Sequence, residues 1–151
     1  MPTSIVQATL SDLETLFEMM RHMQRDDPWE EPFHEPTVRA NLVELLQNPV
    51  YGVIYIVHEA NAYIGYLIIC FDYSLEYRGK GAWIDELFVE PTHRGKGIGT
   101  QLLDLADRAS KDRNAKVLHL EVNHANPAIE LYRRRGFSDH RRYLMSKPLD
   151  R

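Results

Sequence analysis

A short run of basic and glycine residues has the composition of a site for a phosphate group. Its residues, in order, are Arg94, Gly95, Lys96, Gly97, Ile98, Gly99 and Thr100. The run lies between an apolar segment at 82–89 and an amphipathic segment that predicts a helix at 98–113. The start of a helix has unpaired backbone N–H groups and a partial positive charge, and glycines let a phosphate approach them closely. The pattern therefore predicts an anion site at a strand–loop–helix junction.

The spacing of the glycines excludes two common phosphate loops. A nucleoside-triphosphate loop needs Ser or Thr directly after its lysine, whereas Gly97 follows Lys96. A dinucleotide fingerprint read from Gly97 needs its third glycine where Gln101 stands. The spacing that fits is Arg-x-x-Gly-x-Gly, beginning at Arg94. The alternative is a plain strand-to-helix turn with solvated basic side chains.

A second motif follows downstream, where Asn126 and Pro127 precede a short segment that carries Tyr132 and ends at Gly136 and Phe137. Together the two motifs resemble the signatures of the GNAT superfamily of acyl-coenzyme A-dependent N-acetyltransferases. The resemblance is specific over residues 82–146, and over 1–81 it rests on the order of elements. Asn126 lies one position nearer to the tyrosine than the asparagine of the commonest family pattern.

The resemblance implies that residues 94–100 bind the pyrophosphate of acetyl-coenzyme A. The other cofactor contacts that it implies are Leu87, Phe88, Val89, Asn126 and Arg135. A backbone N–H of Phe88 or Val89 would donate to the thioester oxygen, where the family strand bulges. Tyr132 would protonate the leaving sulfur, since a phenol with a pKa of about 10 still carries its proton at neutral pH. The alternative for Tyr132 is an aromatic side chain that packs on the sheet.

Two adjacent carboxylates, Asp85 and Glu86, lie within an otherwise apolar strand. An amine with a pKa of about 10.4 must lose its proton before it attacks, so a base is needed. Adjacent strand residues point to opposite faces, and we therefore expect at most one of the two to face the substrate cleft. The segment 84–89 resembles an acidic stretch of the polyamine and related small-amine members of the superfamily, in which the first acid is the base. By this resemblance the base would be Asp85, with Glu86 in reserve. Either could instead be a surface acid.

Residues 26–36 contain three prolines and five acids and predict a loop. Its acids and aromatic side chains could attract and cover a cationic acceptor through charge and cation–π contact. The predicted substrate contacts are Trp29, Glu30, Glu31 and Phe33. A solvated loop with two anchoring aromatics is the alternative.

The predicted elements follow the order β-α-α-β-β-β-α-β-α-β, with the last strand at 137–145. This order, with the resemblance, predicts an α/β (α+β) fold and one N-acetyltransferase domain over 1–151, with a mixed, mostly antiparallel sheet of six to seven strands flanked by about four helices. Strands 82–89 and 117–122 should be parallel neighbours joined by the helix 98–113. In the resembled family these strands splay apart and the pantetheine arm lies between them.

Composition excludes several other classes of function. A net charge of −4 and a pI near 6.0 argue against a nucleic-acid-binding module, whose only support is the arginine run 133–135. No zinc-ligand spacing is present, so no metal is expected. No signal peptide and no apolar run of about 18 residues is visible, which predicts a cytoplasmic protein without a membrane span. The single cysteine, Cys70, is interpreted as a core thiol.

The sequence therefore predicts an enzyme that transfers an acetyl group from acetyl-coenzyme A to the primary amine of a small molecule. Direct attack in a ternary complex is expected, with a polyamine-like or amino-acid-like acceptor. A protein lysine or N-terminal acetyltransferase is one alternative, and a non-catalytic acyl-coenzyme A sensor is another. The resemblance also implies a homodimer.

Overall fold

A computed structural model describes residues 2–150, which divide between Glu121 and Val122 into two compact units. The first unit contains a five-stranded sheet and three helices, and the second contains one short helix. The strands are β1 (Thr3–Gln7), β2 (Gly52–Glu59), β3 (Ala62–Ser74), β4 (Gly79–Val89) and β5 (Val117–Leu120). The helices are α1 (Leu13–Asp26), α2 (Glu35–Gln47), α3 (Ile98–Asp112) and α4 (Ile129–Arg134). That residues 1–151 form one functional domain stays a prediction.

The sheet has the order β1-β2-β3-β4-β5, with antiparallel pairing up to β4 and a parallel pair at β4 and β5. Helix α3 connects the two parallel strands, as the crossover requires. This mixed, mostly antiparallel sheet with flanking helices confirms the predicted fold class.

The ladder between β4 and β5 is short. It begins at Gly81 with Val117 and ends at Ile84 with Leu120, where β5 itself ends. Strand β4 continues to Val89, so in the described chain its last residues have no β5 partner. The sheet therefore opens on one side of β4 from Asp85 onward.

A β-bulge lies at the same point of β4. On the neighbouring strand, Ile69 pairs with Ile84 and Ile68 pairs with Glu86, which leaves Asp85 as the extra residue. A bulge inserts one residue into a strand, interrupts the strict alternation of faces and bends the strand. The opening of the sheet and the change of side-chain direction thus coincide at Asp85.

Apolar side chains pack on both faces of the sheet. On one face, α1 and α2 bury Leu16, Phe17 and Leu42 in a cluster that includes Ile56 and Tyr66 of the sheet. Helix α3 contacts β3 and β4 and buries side chains outside that cluster, which places it on the other face because neighbouring strand residues alternate. Helices thus cover both faces of the central strands.

The single cysteine of the chain packs against these apolar side chains. Cys70, on β3, packs against the cluster of α1 and α2. Burial raises the pKa of its thiol to about 11, with smaller contributions from the charges of Asp85 and Glu86. The interpretation of Cys70 as a core thiol fits these contacts.

The predicted last strand at 137–145 is wrong, and the sheet has five strands rather than six or seven. No ladder forms there within the described residues, and positions 138–145 are exposed. The start of the segment instead turns back onto α4, because Asp139 pairs with Arg133 at 2.9 Å and the Phe137 ring packs against Tyr132. A strand needs a neighbouring strand for its backbone hydrogen bonds, whereas the first residues of this segment contact the helix.

Within residues 2–150, none of the helices has both the length and the apolar composition that crossing a bilayer requires.

Candidate functional site

A cavity of about 190 Å³ lies in the first unit, beside the bulge of β4. Its apolar walls are Met20 of α1, Val38, Leu42 and Leu45 of α2, and Ile68 of β3. The remaining lining residues are Trp29, Asn41, Asp85 and Glu86. An apolar cavity with a few convergent polar groups is the usual form of a small-molecule site.

The carboxylate of Glu86 is buried and doubly hydrogen-bonded. The residue is 8% exposed. The indole Nε1 of Trp29 donates to Oε1 at 2.7 Å, and the hydroxyl of Tyr66 donates to Oε2 at 2.7 Å. Tyr66 is itself fully buried, with its oxygen 3.3 Å from the sulfur of Met23. The two donors fix the orientation of the carboxylate and leave each oxygen a further lone pair.

Burial raises the pKa of Glu86 to about 7. The hydrogen bonds from Tyr66 and Trp29 oppose this rise, while the negative charges of Asp85 and Asp27 add to it. A carboxylate with a pKa near neutrality can both accept and release a proton under physiological conditions. Glu86 can therefore exchange a proton near neutral pH.

Asp85 also lines the cavity, so the expectation that at most one of the two acids faces the cleft is wrong. The physical reason is the bulge, which interrupts the alternation on which that expectation depended. Asp85 as a whole residue is exposed to solvent. Desolvation by the protein around its carboxylate nevertheless raises the pKa of that group. Two carboxylates of different burial thus meet in one cavity.

The loop between α1 and α2 contributes one of its predicted substrate contacts to the cavity lining, namely Trp29. Phe33 packs behind it, with ring centroids 5.3 Å from Trp29 and 5.7 Å from Phe17. Glu30 and Glu31 are exposed and do not line the cavity. The aromatic part of the loop is therefore anchored, and two of its acids lie elsewhere on the surface.

The glycine loop has the backbone geometry of an anion site. Gly95 and Gly97 have φ values of +75° and +85°, which side chains rarely adopt. A Cβ at Gly95, Gly97 or Gly99 would meet no other atom within 4 Å, so space remains open above this backbone. No side chain caps α3, and its first intrahelical bond runs from Gln101 N to Gly97 O. The preceding N–H groups are therefore available to an anion, which fits a pyrophosphate.

The predicted phosphate ligands around these N–H groups have different surroundings. Lys96 is exposed, whereas the side chain of Ile98 is buried and anchors the start of α3. Arg94 is held on two sides: its Nε donates to Val89 O at 2.8 Å, and its guanidinium pairs with Asp26 at 2.9 Å. Arg94 thus connects the end of β4 to the end of α1.

The strand residues predicted to align the cofactor occupy the open part of β4. Phe88 and Val89 are buried, with the Phe88 ring 5.6 Å from Tyr66, and Leu87 is half-buried. Their backbone lies beyond the last β4–β5 pair. Backbone groups at an open strand edge can bind an extended ligand as an added strand would.

The second unit contains the other predicted residues. Tyr132 lies on α4, is half-buried, and packs edge-on against Phe137 at 6.1 Å. The side-chain oxygen of Asn126 accepts from Ala128 N at 2.9 Å and so shapes the turn before α4. Arg135 is exposed. Their predicted roles toward the cofactor stay predictions.

No group of three or more His, Cys, Asp and Glu side chains in residues 2–150 could hold a metal ion. The ring of His119 packs between two aromatic side chains, 4.6 Å from Trp83 and 5.0 Å from Tyr77.

Sequence reasoning missed Tyr66 and the α2 wall of the cavity. A buried tyrosine hydroxyl requires a polar partner, so the apolar run that begins at Tyr66 carried a usable signal. The spacing of Val38, Leu42 and Leu45 is typical of an apolar helix face, but periodicity does not distinguish a core from a cavity wall. Nothing in the sequence around Asn41 indicated that it lines a cavity.

Comparison with known proteins assigns the family. A profile described as the acetyltransferase (GNAT) family matches residues 16–137. The chain therefore belongs to this family.

Two curated relatives and one solved structure illustrate the likeness. Streptothricin acetyltransferase of Streptomyces lavendulae is 48% identical over 56 residues, which cover 36% of this chain and 30% of that protein. Thialysine N-epsilon-acetyltransferase of Bos taurus is 30% identical over 77 residues, which cover 50% of this chain and 45% of that protein. The chain thus covers less than half the length of either relative.

The solved structure is a predicted acetyltransferase with acetyl-CoA from Clostridium acetobutylicum. It superposes with a TM-score of 0.82 at 24% identity and covers 97% of this chain and 96% of its own. At this identity the likeness shows the fold.

The glycine loop generates a test by a matched pair of substitutions. Gly97→Ala should lower the free energy of unfolding by about 1 kcal/mol, because alanine is strained at a positive φ. Gly99→Ala, inside the first turn of α3, should raise it by about 0.5 kcal/mol or leave it unchanged. Urea unfolding of both variants measures the difference, and equal effects would contradict the left-handed assignment of Gly97.

The buried carboxylate of Glu86 makes stability depend on pH. Its pKa of about 7 in the folded protein exceeds the value of about 4.3 in an unfolded chain, so the folded state binds more protons between these values. The contribution of this group to stability therefore falls as pH rises from about 4.3 to 7 and stays low above that.

The variant Glu86→Gln tests this dependence. Its amide oxygen can accept from Trp29 and its NH₂ can donate to the oxygen of Tyr66, so the site remains hydrogen-bonded. We expect the variant to be more stable than the wild type by at most about 4 kcal/mol near pH 8, with a smaller difference near pH 5. Thermal unfolding at both pH values measures it, and a difference that grows toward acid would contradict the raised pKa.

The hydrogen bond from Trp29 generates another prediction. Trp29→Phe removes the donor to Oε1, so the pKa of Glu86 should rise further. Trp83→Phe is the matched control, because the Trp83 indole donates to Asp72 at 3.0 Å and not to Glu86. A carboxyl ¹³C NMR titration of Glu86 in each variant measures the shift. The same pKa in both variants would show that Trp29 does not act on this carboxylate.

Proposed function

We propose that this protein transfers the acetyl group of acetyl-coenzyme A to a primary amine of a small molecule, by direct attack in a ternary complex. The observation that carries the proposal is the pair Glu86 and Asp85 in an apolar cavity, at the point where β4 leaves β5. Family membership supports the donor, and the names of the streptothricin and thialysine relatives support an amine acceptor.

The glycine loop would hold the cofactor. Its open backbone at Gly95, Gly97 and Gly99 and the uncapped start of α3 fit a pyrophosphate, with Lys96 and Arg94 as the cations. Leu87, Phe88 and Val89 would bind the pantetheine arm through the free edge of β4. When bound, acetyl-coenzyme A supplies the activated acetyl group as a thioester.

The cavity carboxylates would bind and deprotonate the acceptor. In this proposal the order of the two candidates is reversed: Glu86 is the base, because its burial and two donors give it a pKa of about 7 and a fixed direction. The more exposed Asp85 would attract the ammonium form of the acceptor. A backbone N–H of Phe88 or Val89 would donate to the acetyl oxygen, and the hydroxyl of Tyr132 would give its proton to the leaving sulfur.

The acceptor could alternatively be a protein lysine or N-terminus, since a lysine side chain also presents an amine on a flexible arm. A sensor that binds acyl-coenzyme A without turnover is the alternative outside the enzymes. Polyamine-like and amino-acid-like acceptors both lie within the proposal. A cytoplasmic homodimer stays a prediction.

The proposal is tested by thiol release from acetyl-coenzyme A with a panel of amines, aminoglycosides and basic peptides. We expect Glu86→Gln to lower kcat/KM by about 100-fold or more and Asp85→Asn to lower it less, mainly through KM. In the wild type, kcat/KM should rise with pH and level off above about 7, because the base acts when deprotonated.

The matched variants separate the alternatives. Tyr132→Phe should lower kcat with little change in acetyl-coenzyme A binding, which a thermal-shift titration measures. Binding of acetyl-coenzyme A without turnover of any amine or peptide would support the sensor and overturn the enzyme. Turnover restricted to peptides would favour the protein acetyltransferase.

A further inference from the structure

The cavity beside the bulge has one anionic end. Its two carboxylates, Asp85 and Glu86, are adjacent on β4. The wall from α2 consists of Val38, Leu42 and Leu45, and its only polar member is the uncharged amide of Asn41. No third acid lines the cavity among the described residues. A charge placed away from the carboxylates would therefore lie against aliphatic side chains.

Acids of the neighbouring loop and helix ends do not supply a second anionic end. Asp26 pairs with Arg94 at 2.9 Å, and Glu35 pairs with Arg21 at 2.8 Å. Asp27, Glu30 and Glu31 do not line the cavity, and the charge of Asp27 acts on Glu86, at the anionic end already described. The acidity of the segment 26–36 in the sequence thus overstates the negative charge that an acceptor in the cavity would meet.

The volume of the cavity fits a short stem. At about 190 Å³ it exceeds the engineered cavity of roughly 150 Å³ that binds benzene in another protein. A chain or ring of about six carbon atoms, with an amine at one end, is of this size. Burial of such a stem against the aliphatic walls is favourable, whereas burial of an ammonium without a partner there costs free energy.

We propose that the acceptor is a primary amine at the end of an uncharged, apolar stem, and that amines with a second ammonium on the stem are disfavoured. This inference rests on the proposed function and narrows its acceptor. The amine end lies at Asp85 and Glu86, and the stem lies along Val38, Leu42 and Leu45. Asn41 is the position at which the cavity discriminates against a second charge.

Two amines of equal size test the inference. Hexylamine and 1,5-diaminopentane have the same number of non-hydrogen atoms, and the second amine of the diamine replaces the terminal methyl group. We expect kcat/KM for hexylamine to be larger by about tenfold or more at equal pH. The diamine has two equivalent amines, so a factor of two in its favour is expected without any discrimination.

Two variants of α2 show whether the cavity wall causes the preference. Asn41→Asp adds a carboxylate to the lining without a change in size. The ratio of kcat/KM for hexylamine to kcat/KM for the diamine should fall by about threefold. Gln47→Glu makes the same change of net charge outside the lining and should leave the preference and the basal activity unchanged. Equal narrowing in both variants would contradict a role for the wall.

The outcomes distinguish this inference from the proposed function. A wild-type kcat/KM for the diamine that equals or exceeds that for hexylamine would overturn the inference and leave amine acetylation in place. Binding of acetyl-coenzyme A in a thermal-shift titration, without turnover of any amine, would overturn the proposed function and the inference with it.

Discussion

Two hydrogen bonds, from the Trp29 indole and the Tyr66 hydroxyl, hold the Glu86 carboxylate where little water reaches it. A charge in such a place is costly unless donors surround it, so the site requires both partners in fixed positions. Tyr66 takes its position from the central strand β3, and Trp29 takes its position from the packing of Phe33 on Phe17 of α1. The sheet and the helices of the first unit are thus coupled through one carboxylate.

The parallel pairing of β4 with β5 across α3 followed from residue patterns because the apolar strands, the glycine loop and the helix are contiguous in the chain. The environment of Glu86 could not be predicted from such patterns, because its hydrogen-bond partners are distant in sequence. Trp29 is 57 positions away and Tyr66 is 20. The bulge at Asp85 also could not be predicted from the sequence, because it depends on how β4 pairs with Ile68 and Ile69 of β3. The failed strand at 137–145 has the same cause, since pairing depends on a neighbour and not on composition alone.

Arg94 connects two parts of the site that the sequence treats as separate. Its guanidinium contacts Asp26 at the end of α1 and the carbonyl of Val89 at the end of β4, and it lies 5.8 Å from the centre of the Phe88 ring. The loop that carries Trp29 begins directly after Asp26. The arginine that the family pattern assigns to the phosphate therefore also anchors one end of the segment that carries Trp29.

The partial burial of Cys70 affects how the protein reacts with thiol reagents. With a pKa of about 11, its thiol is ionised to only about one part in ten thousand at neutral pH, and the thiolate is the form that reacts with disulfides and maleimides. The chain has no other cysteine. We therefore expect Cys70 to react slowly with thiol reagents, so that a fast colour change in solution reports free coenzyme A.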